Sequence, residues 1–553
     1  MADPVRISFL GGLGEIGRNC MVVEQEERLL LIDCGLMFPD ADMHGIDLVL
    51  PDFTYLREHA DRIEACVATH GHEDHVGGLS YLLRDCSFPL YGSDLTLGLA
   101  ANRIDEAGLL DRTTLVRVND GERRRIGPFD VEFIPVTHSV PRAHAIAVHT
   151  GQGVILHSGD FKLDLTPVDG RLTDLSRIGA LATTEGIRLL MSDSTNAEHR
   201  GHAPSERAVG GVLRTIFHAA EGRRVITASF ASHIHRIQQI ADAAIESGRI
   251  VASLGLSVRK NIRLARDLGL LHIPDDRLVD IEQIDDYPPE RVCVISTGSQ
   301  GEPMSALALL AAGNNRWLKV GDHDTVILSS HAIPGNEFNV NRVIDGLLRS
   351  GAEVIHSGVS DVHATGHAQA EELKTLLAIA RPEWFVPIHG EYRHLLAHSK
   401  LAVTMGVRRD HVIDCTDGDT ITISDDGVAL TGRVPAGYLY VDGIVGDVGQ
   451  GVLRDRRLLA DEGVVVVVVA VDTLSGKVIN GPEIITRGWV YAPEADALLD
   501  EGEARVAEAV EAAFATGTRD VELLEKEVRR TVGRFVSERT RRRPMIVPVV
   551  MEA

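Results

Sequence analysis

The amino-acid sequence predicts an α/β protein of several domains, on three observations. Short strand-like apolar runs dominate the stretch from Val5 to His157. A regular alternation of helical and strand-like segments begins near Ser205. A further unit that mixes both patterns opens near Pro435. At ~150 residues per domain, the length of 553 residues allows roughly three or four domains.

Strands are expected at Val5–Leu10, Cys20–Val23, Leu29–Ile32, Ala65–Thr69, Val131–Val136, Ala145–His149 and Val154–His157, because each run is short, apolar and bounded by turn formers. Val209, Val212, Leu213, Ile216 and Phe217 then recur at helical spacing ahead of a strand at Arg224–Ser229. Strands at Ile250–Leu254, Val292–Ser296, Thr325–Ser329 and Glu353–His356 follow with helical stretches between them, which favours a parallel sheet with helical crossovers. Residues 365–423 supply a helix, the strand Trp384–Ile388 and shorter strands. The last unit holds a strand at Gly463–Asp472, helices near Ala495–Ala515 and Val521–Arg539, and a strand at Met545–Val550. No internal repeat is visible.

Composition excludes several classes. Hydrophobic residues at 44% and charged residues at 25% exclude a disordered chain. The longest apolar run, Val464–Val471, is far short of the ~20 residues of a membrane helix and is expected to be a buried strand. The start, MADPVRISFLGG, lacks the features of a secretory leader, so a cytoplasmic location without a membrane partner is expected. A net charge of −24 argues against coating nucleic acid by bulk electrostatics. Six cysteines without a CxxC pair give neither a disulfide framework nor a cysteine zinc site, and Cys20, Cys34, Cys66 and Cys293 are expected as buried thiols.

One motif is a decoy. Gly12-Leu13-Gly14-Glu15-Ile16-Gly17 matches GxGxxG, and Asp33 follows at about the right distance for a dinucleotide site. That site needs a helix to open within the glycines, and Arg18–Val23 has no helical period. The glycines are expected to let the backbone turn close to another segment.

The 24 histidines cluster, and the densest cluster is Thr69-His70-Gly71-His72-Glu73-Asp74-His75, just after an apolar strand. Four ligand-type side chains (His70, His72, Asp74 and His75) within six residues suit two adjacent metal ions better than one tetrahedral ion. The HExxH zinc signature is absent.

This motif resembles that of the metallo-β-lactamase superfamily, and the resemblance extends along the chain. His138 in PVTHS resembles the third histidine ligand, Asp160 in HSGD the bridging aspartate, and His389 in PIHGE the last ligand. Asp33 resembles the carboxylate that orients a ligand. Asp193 in SDSTN and His367 in HATGH resemble the additional motifs of the nucleic-acid-processing β-CASP branch. THGHEDHVGG, FASHIHRIQQ, TGSQGEPMSAL, PIHGEYRH and RRRPMIVPVV are similar to the bacterial ribonuclease J family. Two positions depart from its pattern: Leu256 stands where that family has the arginine of GRSM, and Thr365 replaces the serine of HVSGH.

The resemblance implies a metallo-β-lactamase αββα sandwich (residues 1–204 and 356–434), an inserted Rossmann-like β-CASP domain (205–355), a linker (435–460) and a small α/β C-terminal domain (461–553). It implies two divalent ions per subunit, Zn²⁺ first, with Mn²⁺ or Mg²⁺ able to support activity. One ion would use His70, His72, His138 and Asp160, and the other Asp74, His75, Asp160 and His389. Asp74, Asp193 and His367 are the expected catalytic residues. Ser232, His233, His363, Ala364, Thr365, Gly366 and His367 are the expected pocket for a terminal phosphate. For Ser232-His233, a helix cap remains the alternative. The implied activity is hydrolysis of RNA phosphodiester bonds, 5′→3′ from a 5′-monophosphate and with endonuclease action alongside, in mRNA decay and rRNA maturation. The implied partners are single-stranded RNA, further copies in a homodimer or homotetramer, and RNA-decay machinery or the ribosome. A DNA-processing β-CASP nuclease, another metallo-β-lactamase-type hydrolase and an inactive RNA-binding scaffold are the rival readings. Arg529, Arg530, Arg534, Arg539 and Arg541–Arg543 are read either as a solvated face or as an RNA or subunit contact.

Overall fold

The computed structural model describes residues 3–553 apart from 41, 334–335, 444–445, 447 and 491–494. Two sheets face each other. The first runs in the order Gly427–Arg433, Asp419–Ser424, Val5–Gly11, Cys20–Gln25, Arg28–Ile32, Ile63–Val67, Leu90–Gly92, Leu115–Arg117. The second runs Trp384–Ile388, Ile187–Asp193, Gly153–His157, Ala143–Thr150, Phe129–Val136, Arg123–Ile126.

Strand periodicity explains how the layers close. Val131 and Phe133 point between the sheets and meet Ile7, Val23, Leu30 and Val67. The alternate residues, Ile134 and Val136, point outward against Ile178 and Leu181 of helix Leu175–Thr184 and Leu376 and Leu377 of helix Ala370–Ala380. Glu132 shares this outward face and is buried against His149 and Arg177, so the strand is enclosed on both faces without being an unbroken apolar run. The inserted sheet is wholly parallel, in the order Leu278–Val279, Ile250–Leu254, Val292–Ser296, Arg224–Ala228, Asp324–Leu328, Glu353–His356. Helices cover both of its faces: Leu213, Phe217 and Ile237 pack with Val225 and Ile295, and Leu307, Leu310 and Leu347 with Ile226 and Val294.

By its internal contacts the chain forms two units, residues 1–38 with 48–438 and residues 39–47 with 439–553. In the second, Val464–Asp472 is the central strand between Lys477–Arg487 and Met545–Glu552. The valine run is buried only on alternate residues: Val465, Val467, Val469 and Val471 meet Val506, Val510, Leu524, Val528 and Val532 of two helices. The stretch expected as a linker carries the helix Gly449–Glu462. Of the C-terminal arginines, Arg530 pairs with Glu527 and Arg539 with Glu501, both on the unit's own surface. No helix among the described residues is long and apolar enough to cross a membrane.

The glycine decoy resolves structurally. Leu13–Gly14 is a short strand parallel to Gly390–Glu391, so the glycines bring the chain alongside the His389 segment.

Candidate metal centre

The candidate ligands gather because they sit at or just after strand ends of the two facing sheets. Asp33 follows Arg28–Ile32, His70–His75 follow Ile63–Val67, His138 follows Phe129–Val136, Asp160 follows Gly153–His157, and His389 follows Trp384–Ile388. Asp33 and His389 hold left-handed backbone, with φ of 60° and 51°. That conformation is costly for residues with a Cβ and persists where the surroundings over-determine it.

The geometry fits two cations. Ligands at about 2.1 Å in a tetrahedral site lie about 3.4 Å from one another. His72 Nδ1 is 3.0 Å from His70 Nε2 and 3.1 Å from His138 Nε2, and Asp160 Oδ2 is 3.5 and 3.9 Å from those two rings. In the second group His75 Nε2 is 3.1 Å from Asp160 Oδ2 and 3.5 Å from Asp74 Oδ2, while His389 Nε2 is 3.5 and 3.9 Å from them. Asp160 Oδ2 belongs to both groups, and it is buried without a hydrogen-bond partner. A buried carboxylate oxygen left without a donor is costly, and a shared cation satisfies it.

The far nitrogens show why the rings converge. His75 Nδ1 donates to Asp33 Oδ2 at 2.8 Å, His138 Nδ1 to Gly366 O at 2.8 Å, and His389 Nδ1 to Asn19 Oδ1 at 2.9 Å. The Thr69 hydroxyl donates to Asp33 Oδ2 and accepts from His70 Nδ1 at 3.0 Å. These bonds fix the tautomers so that four Nε2 lone pairs face inward, as metal-ligating imidazoles require. Burial lowers His72 to about 4 and keeps His70 and His138 well below the usual histidine value. Burial alone would raise Asp160, but His389, His75 and His70 hold it ionised. Neutral imidazoles at His70, His72 and His138 are the protonation states a metal site needs, whereas at His75 burial is outweighed by Asp160, Asp74 and Asp33, which raise it well above the usual histidine value, so a cation there would replace a proton.

Asp193 and His367 form a second pair beside this cluster. His367 Nδ1 lies 2.8 Å from Asp193 Oδ2, and Asp193 also accepts from the amide and hydroxyl of Thr195. Burial opposes the charge on His367, yet Asp193, with Asp160 and Asp74 behind it, carries it up to about 9.

The predicted phosphate residues are only partly presented. Ser232 is half-buried, and its hydroxyl has no hydrogen bond among the described residues; the following helix, Ile234–Glu246, has no side-chain cap. His233 is 1% exposed with neither ring nitrogen hydrogen-bonded, its Nε2 lying 3.4 Å from Glu206 Oε1, and His363 Nδ1 is also buried without a hydrogen bond. Thr365 Oγ1 accepts from Asn196 Nδ2 and from the His367 amide. The Ala364 methyl lies in the core beside Val362, so any ligand contact there falls to its backbone. A Cβ on Gly366 would meet His138 Cε1 at 2.7 Å, so any larger residue here must push the His138 ring aside. Leu256 is 68% exposed, and its neighbours Arg259 and Lys260 face Glu282 and Glu106.

Residue-type patterns missed Asn19, Thr69 and Asn196. Asn19 donates to the Asp74 carbonyl and holds His389, two contacts made across the fold.

Taken together, the two facing sheets, the inserted parallel sheet and the twin His/Asp groups define a metallo-β-lactamase-fold hydrolase of the β-CASP type. Four family models match the chain: the metallo-beta-lactamase superfamily over residues 13–216, the ribonuclease J beta-CASP domain over 222–347, the Zn-dependent metallo-hydrolase RNA specificity domain over 352–413, and the ribonuclease J C-terminal domain over 451–553. The chain is 43% identical to ribonuclease J of Mycobacterium tuberculosis, over 99% of this chain and 97% of that one. It is 41% identical to ribonuclease J of Thermus thermophilus, over 100% and 96%. A crystal structure of a protein of unknown function from Enterococcus faecalis V583 shares the fold, with a TM-score of 0.52 at 15% identity over 78% of this chain and all of that one. The chain belongs to the ribonuclease J family.

Proposed function

We propose that this protein is a metal-dependent ribonuclease that hydrolyses RNA phosphodiester bonds and leaves 5′-phosphates, working 5′→3′ from a 5′-monophosphate and also cutting internally. The observation that carries the reading is the pair of converging ligand groups that share Asp160 Oδ2. His70, His72, His138 and Asp160 would hold one divalent ion, and Asp74, His75, Asp160 and His389 the other. When bound, the ions polarise phosphoryl oxygens and bring the pKa of water toward neutrality. A His/Asp ligand set accepts Zn²⁺ and Mn²⁺ alike.

The chain's own groups supply the rest. Asp33, Asn19 and the Gly366 carbonyl keep the ligand rings aimed. His367, held in its cationic form by Asp193, donates from Nε2 to the scissile phosphate and protonates the leaving oxygen. His233 and His363 carry buried ring nitrogens without hydrogen bonds, and these, with the half-buried Ser232 hydroxyl, supply the donors for a terminal phosphate. Burial first, and then the nearby Arg236, keep His233 and His363 neutral, so each imidazole offers one N–H. The domain limits stated from the sequence, a cytoplasmic location, a homodimer or homotetramer, and contacts with RNA-decay machinery or the ribosome belong to the same proposal.

The test is purified protein with Mn²⁺ or Mg²⁺ and 3′-labelled RNA carrying a 5′-monophosphate, 5′-triphosphate or 5′-hydroxyl, with DNA in parallel. Mononucleotide release, fastest from the monophosphate, is expected. Preferential cleavage of DNA would favour the DNA-processing reading, and no RNA cleavage with both metals bound would sink the enzyme.

A further inference from the structure

Arg236 enters the catalytic reading only through its charge beside His233 and His363; its hydrogen bonds reach further. It lies on helix Ile234–Glu246, and its side chain is fully buried. All three guanidinium nitrogens are engaged. Nε and Nη2 grip the Glu206 carboxylate at 2.7 and 2.8 Å, while Nη1 reaches Ser329 Oγ at 2.6 Å, Ser329 O at 3.0 Å and Val362 O at 2.8 Å. These partners come from three distant places: the start of helix Glu206–Ala219, the end of strand Asp324–Leu328, and the segment leading into His363–His367.

The contacts continue on both sides. The Glu206 amide donates to Asp164 Oδ2 at 2.9 Å, and Lys162 Nζ donates to Pro204 O at 3.0 Å, so the entry to the inserted sheet is tied to the chain just beyond Asp160. On the exit side Ser329 Oγ donates to Val362 O at 2.6 Å. From Val362 the chain runs directly to Thr365, held by Asn196, to Gly366, whose carbonyl holds His138, and to His367, held by Asp193. Between the inserted sheet and this loop, the Val362 carbonyl is the point at which Arg236 and Ser329 act together.

We propose that Arg236 is a positioning residue: with Glu206 and Ser329 it sets the 362–367 loop against the metal cluster, and so governs how the enzyme reads the RNA 5′ end. A planar guanidinium can serve a carboxylate with one edge and two carbonyls with the other, while a lysine ammonium offers a single point charge. Arg236→Lys therefore keeps the charge beside Glu206 and gives up the grip on Val362. Ser329→Ala removes the second donor to Val362 O and leaves the buried ion pair intact. The proposal deepens the ribonuclease reading and rests on it for the 5′-end effect, but not for the loop.

Two measurements separate the cases. Hydrogen–deuterium exchange is followed in peptides covering 360–368 and 65–76, with metal content per chain measured alongside. Both variants should exchange faster at 360–368, remain unchanged at 65–76 and keep the wild-type metal content. Steady-state kinetics should then show the ratio of kcat/KM for 5′-monophosphate over 5′-hydroxyl RNA falling at least tenfold in Arg236→Lys and less in Ser329→Ala. Unchanged exchange at 360–368 in Ser329→Ala overturns the positioning role, as does loosening of every peptide together. Faster exchange with an unchanged kcat/KM ratio overturns the link to the 5′ end. Should the wild type cleave no RNA, the functional reading fails, while the exchange data still decide the role of Arg236 in the loop.

Discussion

Asp33→Asn separates the two metal groups. Asp33 accepts from the Thr69 amide at 2.7 Å, the Thr69 hydroxyl at 2.8 Å and His75 Nδ1 at 2.8 Å, all of them buried. An asparagine keeps the shape but turns one acceptor edge into a donor, so one of these N–H groups then faces another N–H. A buried donor left unpaired costs about 1–3 kcal/mol. His75 can escape by moving its proton to Nε2, which accepts the new donor at Nδ1 but removes the lone pair that faces Asp74 and Asp160. Changes to groups that orient metal-bound histidines typically cost 10–100-fold in affinity, or about 1.4–2.7 kcal/mol. That loss falls first on the Asp74, His75, Asp160 and His389 group, because His75 bonds Asp33 directly, whereas His70 reaches it only through the Thr69 hydroxyl, which can rotate to keep its bond to His70. Chelator titration with metal analysis should leave about one ion per chain in the variant under conditions where the wild type holds two. Retention of both with affinities within about twofold of wild type, or loss of both together, would refute the reasoning.

Other consequences are equally direct. His367→Ala should lower kcat on RNA by about 10²–10⁴, the usual range for general acid–base groups, with metal content unchanged; loss of metal would place His367 among the ligands instead. Gly35→Ala should lose about 1–3 kcal/mol of stability and much of its metal, because the new Cβ would overlap the Asp74 carbonyl; differential scanning calorimetry and metal analysis check this. For Glu132, burial pushes its pKa up, but His149 and Arg177 bring it down from 4.5 to about 2. A carboxylate with a depressed folded-state pKa stabilises fully above its unfolded value and less as pH falls toward the folded one. The gap in melting temperature between wild type and Glu132→Gln should therefore be level between about pH 5 and the usual histidine value of 6.5, shrink below pH 4.5, and shrink again as pH rises through the value of His149, which burial lowers but Glu132 raises. A gap independent of pH down to about 3 would contradict it.

How far the site could be read in the sequence followed from locality. His70, His72, Asp74 and His75 share one short segment, a loop running into the helical turn Glu73–Val76, so their spacing alone shows the chemistry. His138, Asp160 and His389 stand alone, and only the order of a family pattern links them. Asn19 and Thr69 carry no pattern: they matter because the first strands fold beside Asp33, Asp74 and His389. Arg236 looks like any helical arginine until the sheet brings Ser329 and Val362 to it. Layer order was legible through periodicity, as in Phe129–Val136. The valine run Val464–Val471 is the strand its apolar length implies, but its core contacts fall on alternate residues, which a run of one residue type cannot signal.

The Gly366 carbonyl joins the two halves of the site. It fixes the tautomer of His138, a candidate metal ligand, and it lies in the loop that presents His363 and His367. A Cβ at this position would displace the His138 ring, so the loop and the ligand touch at backbone distance. A terminal phosphate that shifts residues 363–367 therefore also shifts the bond that aims His138 Nε2 at the cluster. Metal geometry and 5′-end occupancy are then linked quantities, and because linkage is reciprocal, a 5′-monophosphorylated RNA should raise metal affinity by the same factor by which metal raises affinity for that RNA. Equal metal affinity with and without the 5′-phosphate, measured on a non-cleavable oligonucleotide, would show that the Gly366 contact is static and that the loop moves as a rigid body with His138.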